Sequence, residues 1–211
     1  MMGDTQLNAA EIKIGVVGLG LMGCSITTCL LMAGHPVVAV APVSVDLTFA
    51  LKRITKHLQR SRREKLVTQA PDFYLQHLHI TESYDQLQGC ALVIECTLEN
   101  LDIKKSVYSK IEAVIDKNAL LASNTSAIPI SILQQQTTHP SRFFGLHWAE
   151  PSHTTRFLEV ICGNESDIAK GEYLYELSHL WGKEPTLVRK DIRGFITNRI
   201  MYAMYREAIS L

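Results

Sequence analysis

A glycine-rich segment near the start of the chain has the spacing of a phosphate-binding turn. Its six residues are Gly18, Leu19, Gly20, Leu21, Met22 and Gly23. They follow a predicted strand, open a predicted helix and have a second predicted strand after them, which is the context that a G-x-G-x-x-G motif requires. The glycines permit a tight turn, close approach of the backbone to a pyrophosphate, and close helix–strand packing. Free N–H groups at the start of the helix then favour phosphate, so the motif predicts a dinucleotide site rather than a purely structural turn.

A histidine and a carboxylate later in the chain could act together on a proton. His147 and Glu159 lie at the near ends of two successive predicted strands. Histidine is the side chain whose ordinary pKa lies nearest neutral pH, and a carboxylate partner orients its ring. Oxidation of a secondary alcohol needs such a base for the hydroxyl proton and a nicotinamide to accept the hydride. If the two strands are neighbours, the pair could supply that base.

The position that normally selects NAD carries no charge. Such sites usually have Asp or Glu at the end of the second strand, hydrogen-bonded to the ribose. Here that residue is Ala41, and no arginine adjoins it to select a 2′-phosphate. Loss of a charge-assisted hydrogen bond of about 1.5–3 kcal/mol predicts NAD binding weakened roughly ten- to a hundred-fold. We expect NAD, leave NADP open, and regard Asp46 or Ser44 as candidates to replace the acid.

Four further segments complete a pattern. They are residues 99–101 (ENL), 122–126 (ASNTS), 145–148 (GLHW) with 157–161 (FLEVI), and 194–199 (GFITNR). With the glycine turn, their order and spacing strongly resemble the NAD-binding domain of the 3-hydroxyacyl-CoA dehydrogenases, over nearly the whole chain. The resemblance implies an oxidoreductase of fatty acid metabolism (beta-oxidation) that interconverts L-3-hydroxyacyl-CoA and 3-ketoacyl-CoA.

The resemblance also implies a role for each site residue. His147 would be the general base and Glu159 its partner, while Ser123 and Asn198 would hydrogen-bond the substrate oxygen and help hold the thioester. The implied cofactor contacts are the glycine turn (residues 18–23), Ala41, Glu99, Lys104, Ser123 and Glu150. The helix predicted at residues 47–67 is rich in basic residues. By resemblance, its Lys56 and the basic residues within 60–65 would lie near the phosphoadenosine of an acyl-CoA substrate; the alternative is that they form a solvated face. No histidine grouping suggests a metal ligand set.

Glu150 departs from the family pattern. The family has Asn-Pro after the catalytic histidine, whereas this chain has Glu150-Pro151. By resemblance, this puts an acid near the nicotinamide and could change substrate preference, hydride chemistry or cofactor choice. Two alternatives therefore stay open: a related dehydrogenase acting on another small 3-hydroxy acid, and a non-catalytic dinucleotide-binding module.

Alternating strands and helices are predicted to position these residues. Apolar runs predict strands at residues 12–17, 37–40, 91–95, 119–122, 143–146, 157–161 and 186–188. Helical patterns lie between them, including residues 47–67, 101–116 and 166–181, and Pro71 marks a break. Because strand and helix alternate, we expect an α/β, Rossmann-like doubly wound fold with a mostly parallel sheet.

The end of the chain predicts a second folding unit. Residues 194–211 have a helical pattern that is more apolar than a surface tail should be. We therefore assign residues 1–190 to a dinucleotide-binding domain. Residues 191–211 are expected to be the first helix of a truncated C-terminal helical domain. By resemblance, that domain would close the acyl pocket and form a homodimer.

Composition narrows the classes of partner. The 211 residues include 21 basic and 21 acidic side chains, so no net charge favours nucleic acid or a membrane surface. The uncharged stretch from Ile14 to Gly34 is long enough to span a membrane, but its five glycines favour a buried strand, turn and helix. The N-terminal segment has no apolar signal-peptide region, so we expect a soluble cytoplasmic protein.

The five cysteines include no C-x-x-C pair, which predicts reduced thiols rather than disulfides or a zinc site. Cys24 would lie in the first turn of a helix, where a thiolate is favoured. A small core residue is the alternative that we prefer for it.

Overall fold

The computed structural model describes residues 7–210. The strands are β1 (Ile14–Val17), β2 (Val37–Val40), β3 (Leu78–Thr81), β4 (Leu92–Glu95), β5 (Leu120–Ser123), β6 (Phe143–Trp148), β7 (Phe157–Cys162) and β8 (Glu184–Val188). The helices are α1 (Leu21–Met32), α2 (Ser44–Arg63), α3 (Pro71–Leu75), α4 (Leu101–Glu112), α5 (Ile130–Gln134), α6 (Ile168–His179) and α7 (Thr197–Ser210). These strands and helices alternate along the chain except where α3 follows α2, β4 follows β3 and β7 follows β6.

These strands form one sheet in the order β3-β2-β1-β4-β5-β6-β7-β8. Strands β6 and β7 are antiparallel, and the other neighbouring pairs run parallel. The predicted Rossmann-like, mostly parallel sheet is confirmed. The strand order reverses between β1 and β4, and open α/β sheets bind ligands at the carboxyl ends of the strands at such a switch point. The glycine turn directly follows β1, so it lies at this place.

Burial on both faces explains the central strands. Every residue of β1, β2, β4 and β5 is buried, as a parallel sheet between two helical layers requires. One face packs on α1, which has no charged residue and nine buried positions. Helix α2 presents a narrow apolar stripe, Ala50, Ile54 and Leu58, while its basic residues stay outside. Within residues 7–210, no helix is long and apolar enough to cross a membrane.

The segment after Pro71 differs from the prediction. Pro71 begins a short helix, α3, and the edge strand β3 follows it. A proline is tolerated in the first turn of a helix because its missing N–H would have no partner there. Strand β3 has four residues, none of them fully buried, so no apolar run revealed it. Helix α2 spans Ser44–Arg63 rather than residues 47–67, and α4 ends at Glu112 rather than at Asp116.

The thiols belong to the core. All five cysteines are free, and Cys24 is a fully buried residue of α1 within the apolar core. Burial raises the pKa of Cys24 to about 11, which disfavours a thiolate. The interpretation of Cys24 as a small core residue therefore holds.

Candidate active site

Strands β6 and β7 bring His147 and Glu159 together. The two residues lie directly opposite each other in the antiparallel register, and His147 Nδ1 is 2.7 Å from Glu159 Oε2. Both side chains are buried, and the rings of Phe157 and Phe195 lie 5.6 Å from the imidazole. A carboxylate at Nδ1 keeps the proton of a neutral ring on that nitrogen. Within residues 7–210, Nε2 has no hydrogen-bond partner, so it can accept a proton.

Glu159 also fixes the start of α7. Its Oε1 atom accepts hydrogen bonds from the backbone N–H groups of Ile196 and Thr197, each at 3.0 Å. Burial alone would raise the pKa of Glu159, but the hydrogen bonds from His147 and from these two N–H groups outweigh it and lower the pKa. One charged carboxylate therefore orients the histidine and ties the helix that carries Asn198 to β7.

A second buried carboxylate, Glu95, lies beneath Ser123. Lys104 Nζ is 2.9 Å from both of its carboxylate oxygens, and the Ser123 hydroxyl donates to Oε2 at 2.7 Å. The Tyr108 hydroxyl donates to the same oxygen at 3.1 Å. The sequence analysis missed this residue. A charged residue at the end of an otherwise apolar strand was the available signal, because an isolated charge is costly to bury.

Three predicted site residues hold the loop after β5 rather than project into open space. Ser123 and Lys104 are almost fully buried, and both contact Glu95. Glu99 accepts hydrogen bonds from the Thr125 hydroxyl and from the backbone N–H of Ser126. Lys104 Nζ is also 3.4 Å from Glu99. These contacts fix the loop between β5 and α5.

Asn198 joins that loop to α7. Its side-chain amide donates to the backbone carbonyl of Ser126 at 2.8 Å. The neighbouring Asn124 accepts a hydrogen bond from the backbone N–H of Trp148, at the end of β6, at 3.2 Å. The ends of β5 and β6 and the start of α7 are therefore tied together around His147.

The glycine turn forms a backbone cradle. Gly18 has φ +98°, a left-handed conformation, and a Cβ atom there would lie 2.8 Å from the carbonyl of Cys96. A Cβ on Gly23 would lie 1.7 Å from the Gly18 oxygen, so the start of α1 packs directly on the turn. A Cβ on Gly20 would meet nothing within 4 Å. The backbone at Gly20 therefore faces open space at the N-terminus of α1, and this fits a pyrophosphate group.

A groove of about 400 Å³ extends from this turn. Leu21 and Met22 line it on one side, and Leu98 and Ile103 on another. Ala41 is buried, whereas Asp46, in the first turn of α2, lines the groove. Arg53 lies 3.9 Å from Asp46 and donates to the carbonyl of Leu19 at 3.3 Å. Of the two candidates for the missing acid, the structure therefore favours Asp46 over Ser44.

Glu150 lies in the loop after β6, exposed and beside α1. Partial desolvation of the Glu150 carboxyl raises its pKa. A hydrogen bond from the Ser25 hydroxyl offsets part of this rise. Ser25 also holds the same loop, because its hydroxyl accepts from the backbone N–H of Ser152 at 2.8 Å and lies 3.1 Å from His153 Nδ1. The basic residues of α2 lie on its exposed side, where Arg60 pairs with Glu64 at 2.7 Å.

Comparison with known proteins agrees with this geometry. The family model described as "3-hydroxyacyl-CoA dehydrogenase, NAD binding domain" matches residues 13–192. A 5-formyl-3-hydroxy-2-methylpyridine 4-carboxylate 5-dehydrogenase of Mesorhizobium japonicum is 33% identical over 202 residues, which are 94% of this chain and 64% of that protein. A probable 3-hydroxybutyryl-CoA dehydrogenase of Deinococcus radiodurans is 32% identical over 198 residues, 94% of this chain and 71% of that protein.

A solved structure shares the architecture as well. The crystal structure of (S)-3-hydroxybutyryl-CoA dehydrogenase from Ralstonia eutropha superposes with a TM-score of 0.88 at 31% identity. The match covers 93% of this chain and 69% of that one. The chain thus spans about two thirds of the length of these relatives, and somewhat less than two thirds of the Mesorhizobium protein.

Proposed function

This chain belongs to the 3-hydroxyacyl-CoA dehydrogenase family, and we propose that it interconverts an L-3-hydroxyacyl-CoA and the 3-ketoacyl-CoA, with NAD as cofactor. The observation that carries the proposal is the buried His147–Glu159 pair, with a 2.7 Å contact at Nδ1 and no partner at Nε2 within residues 7–210. A base oriented in this way is what removal of a hydroxyl proton requires. When bound, NAD supplies the acceptor for the hydride.

His147 takes the substrate hydroxyl proton on Nε2. The positive charge that forms on its ring is stabilised by Glu159, whose lowered pKa keeps it ionised at neutral pH. The Asn198 amide has two N–H groups, of which one is engaged by Ser126. The other donates to the substrate oxygen. Ser123 reaches that oxygen only if its hydroxyl turns away from Glu95; in the conformation described, it supports the loop.

The glycine turn and Asp46 hold the cofactor. Backbone N–H groups at the start of α1 bind the pyrophosphate, since the cradle at Gly20 is open and the helix N-terminus favours negative charge. Asp46 replaces the Asp or Glu that such sites usually have at the position of Ala41, and its carboxylate accepts hydrogen bonds from the ribose hydroxyls. A carboxylate there also disfavours a 2′-phosphate, so NAD is expected over NADP.

Two assays test this function. The first titrates the folded chain with NADH and with NADPH, and tighter NADH binding is expected. The second follows NADH formation from NAD and L-3-hydroxybutyryl-CoA. Preferential binding of NADPH would overturn the cofactor assignment. Binding of NADH without turnover of any 3-hydroxy substrate would favour the alternative of a non-catalytic dinucleotide-binding module.

A second candidate keeps the chemistry but changes the substrate to another small 3-hydroxy compound. Two observations favour it: the Mesorhizobium relative is named for a pyridine carboxylate, and Glu150 stands where the family pattern has asparagine. Faster NADH formation from a free 3-hydroxy acid, such as 3-hydroxybutyrate, than from its CoA thioester would support this candidate over the first.

Helix α7 is proposed to begin a second, helical unit that includes residues 191–211 and mediates homodimer formation. No residue of α7 is buried, and apolar side chains such as Ile200, Met204 and Ile209 are more than half exposed. Exposed apolar surface of this kind is typical of an interface. Light scattering on the protein and on an Ile200→Ser, Ile209→Ser variant tests this, because the variant is expected to form less dimer.

A further inference from the structure

A pocket rich in arginine lies beside Asn198. It has a volume of about 560 Å³ and lies between the loop after β5 and helix α7. Its charged lining consists of Arg193, Arg199 and Arg206, which we call the arginine pocket. Its other lining residues are Ser126, Ala127, Gly194, Asn198 and Tyr202. No acidic side chain lines it, so the pocket concentrates positive charge.

Within residues 7–210, these three guanidinium groups form no ion pair, and the same holds for the exposed Arg62 and Arg63 of α2. Arg60, Arg156 and Arg189 each form an ion pair with a glutamate at 2.7–2.8 Å. In the part of the chain that the structure describes, no carboxylate lies within 4.0 Å of a guanidinium nitrogen of the arginine pocket. Convergent like charges repel one another, and a bound anion would relieve this repulsion.

The arginine pocket begins at the reacting end of the candidate site. Asn198, Tyr202 and Arg206 are spaced by four residues, so they lie along one side of α7. At 1.5 Å per residue, Arg206 lies about 12 Å along the helix from Asn198. Asn198 is the residue proposed to donate to the substrate oxygen. A chain that extends from that oxygen along α7 would therefore pass into positive charge.

We propose that the arginine pocket binds a carboxylate at the far end of the acyl chain, so that the favoured substrate is the thioester of a short 3-hydroxy dicarboxylic acid. This inference rests on the proposed function, because it uses the same reacting centre. The planar guanidinium group matches a carboxylate with two parallel hydrogen bonds. The phosphates of coenzyme A are the other anionic candidates. A pair of thioesters that differ only in a terminal carboxylate distinguishes these two anions, because both thioesters carry the same phosphates.

A matched pair of unreactive thioesters isolates the carboxylate. Adipyl-CoA and hexanoyl-CoA have acyl chains of equal length and differ by the terminal carboxylate. Calorimetric titration of the chain is expected to give adipyl-CoA a roughly ten-fold or greater advantage in affinity, the size expected for a charge-assisted hydrogen bond. Arg193→Gln and Arg206→Gln should each reduce that ratio several-fold. Arg189→Gln, which removes an exposed arginine elsewhere, should leave the ratio as in the wild type.

Two results would overturn the inference. The first is that adipyl-CoA binds no more tightly than hexanoyl-CoA, or that neither binds. In that case the pocket has no preference for a terminal carboxylate. If the arginine substitutions lower the affinities for adipyl-CoA and hexanoyl-CoA by the same factor, the pocket binds the coenzyme A phosphates instead. Arg193 and Arg206 belong to different segments, and unfolding temperatures identify a variant that is misfolded. Turnover of L-3-hydroxybutyryl-CoA with NAD tests the proposed function separately, since these titrations involve no hydride transfer.

Discussion

At the reacting end of the candidate site, side chains hold one another in place, whereas at the nucleotide end the backbone does most of the shaping. Glu159 is bound by His147 and by two N–H groups of the segment that starts α7. Glu95 accepts from Lys104, Ser123 and Tyr108. In the groove beyond the glycine turn, by contrast, the acid Asp46 is partly exposed and 3.9 Å from Arg53.

This difference predicts how well each end tolerates a substitution. A buried polar network loses stability when one member changes, because the remaining partners are left without hydrogen bonds in a water-free site. A cradle made of backbone N–H groups does not depend on side chains in this way. The nucleotide end can therefore tolerate Ala41 in place of an acid more readily than the reacting end could tolerate the loss of His147, Glu159 or Glu95.

Helix α2 and the loop after β6, which surround α1, are joined by a pair of stacked imidazoles. His57 of α2 and His153 of the loop after β6 have ring centroids 4.5 Å apart and nearly parallel planes. His153 Nδ1 lies 3.1 Å from the Ser25 hydroxyl, so α1 takes part in the same contact. A change at this junction is expected to affect how α1, α2 and the loop after β6 pack together.

The largest effect is expected at the base. His147→Gln removes the proton acceptor and should lower kcat by about 10²- to 10⁴-fold, the usual contribution of general base catalysis. NADH affinity should stay close to the wild-type value, because the ring lies at the reacting end. Steady-state kinetics and NADH titration measure both quantities. His139→Gln, at an exposed position, is the matched control; an unchanged kcat in His147→Gln would refute the assignment.

Removal of the buried charge at Glu95 should mainly affect stability. Glu95→Gln leaves the buried Lys104 with only the more distant and exposed Glu99 as counter-charge, and we expect the free energy of unfolding to fall by about 3 kcal/mol, the lower end of the cost of breaking a buried pair. Urea denaturation measures this, with Glu184→Gln as the exposed control. The double variant Glu95→Leu, Lys104→Met should recover part of the loss. A Glu95→Gln variant as stable as the control would show that the reacting end is not held by this network.

The histidine junction predicts a pH dependence. Burial, with the nearby charges of His57 and Arg60, lowers the pKa of His153 to about 4. Because the unfolded histidine has a higher pKa, near 6.5, folding favours the neutral ring. The stabilisation is therefore complete above about pH 6.5 and is lost as the pH falls towards 4, by up to about 3 kcal/mol.

Thermal unfolding between pH 7 and pH 4 tests this prediction on three proteins. The wild type should lose more stability over this range than His153→Gln. His79→Gln, which changes an exposed histidine, should follow the wild type. If the stability of the wild type and of His153→Gln falls equally between pH 7 and pH 4, protonation of His153 does not cause the loss.

The smallest effect is expected at the ribose. Asp46→Asn should weaken NADH binding about ten-fold, through loss of a charge-assisted hydrogen bond, and should narrow the difference between NADH and NADPH. Ser44→Ala, two residues earlier on the same helix, should bind NADH as the wild type does. Fluorescence titration with each cofactor measures the change. If Ser44→Ala weakens NADH binding and Asp46→Asn does not, Ser44 rather than Asp46 binds the ribose.

The central strands, the helices between them and the glycine turn could be predicted from the amino-acid sequence alone. Apolar runs and helical periodicity are local, and they predicted the central strands and the alternation that gives a mostly parallel sheet. The pairing of His147 with Glu159 could also be predicted from the sequence, because the two residues lie on successive strands. Strand β3, short and partly exposed, carried no such local signal.

Most contacts between the polar side chains follow from the packing of the whole fold and could not be predicted from local patterns. The burial of Glu95 with Lys104, the stack of His57 on His153 and the approach of α7 to the Ser126 loop join residues that are distant in sequence. A side chain's partner depends on which elements are neighbours and on the direction each one faces, and residue spacing within one element does not specify this. Local patterns therefore encode the backbone cradle, whereas packing of the whole sheet creates the buried charges around the base.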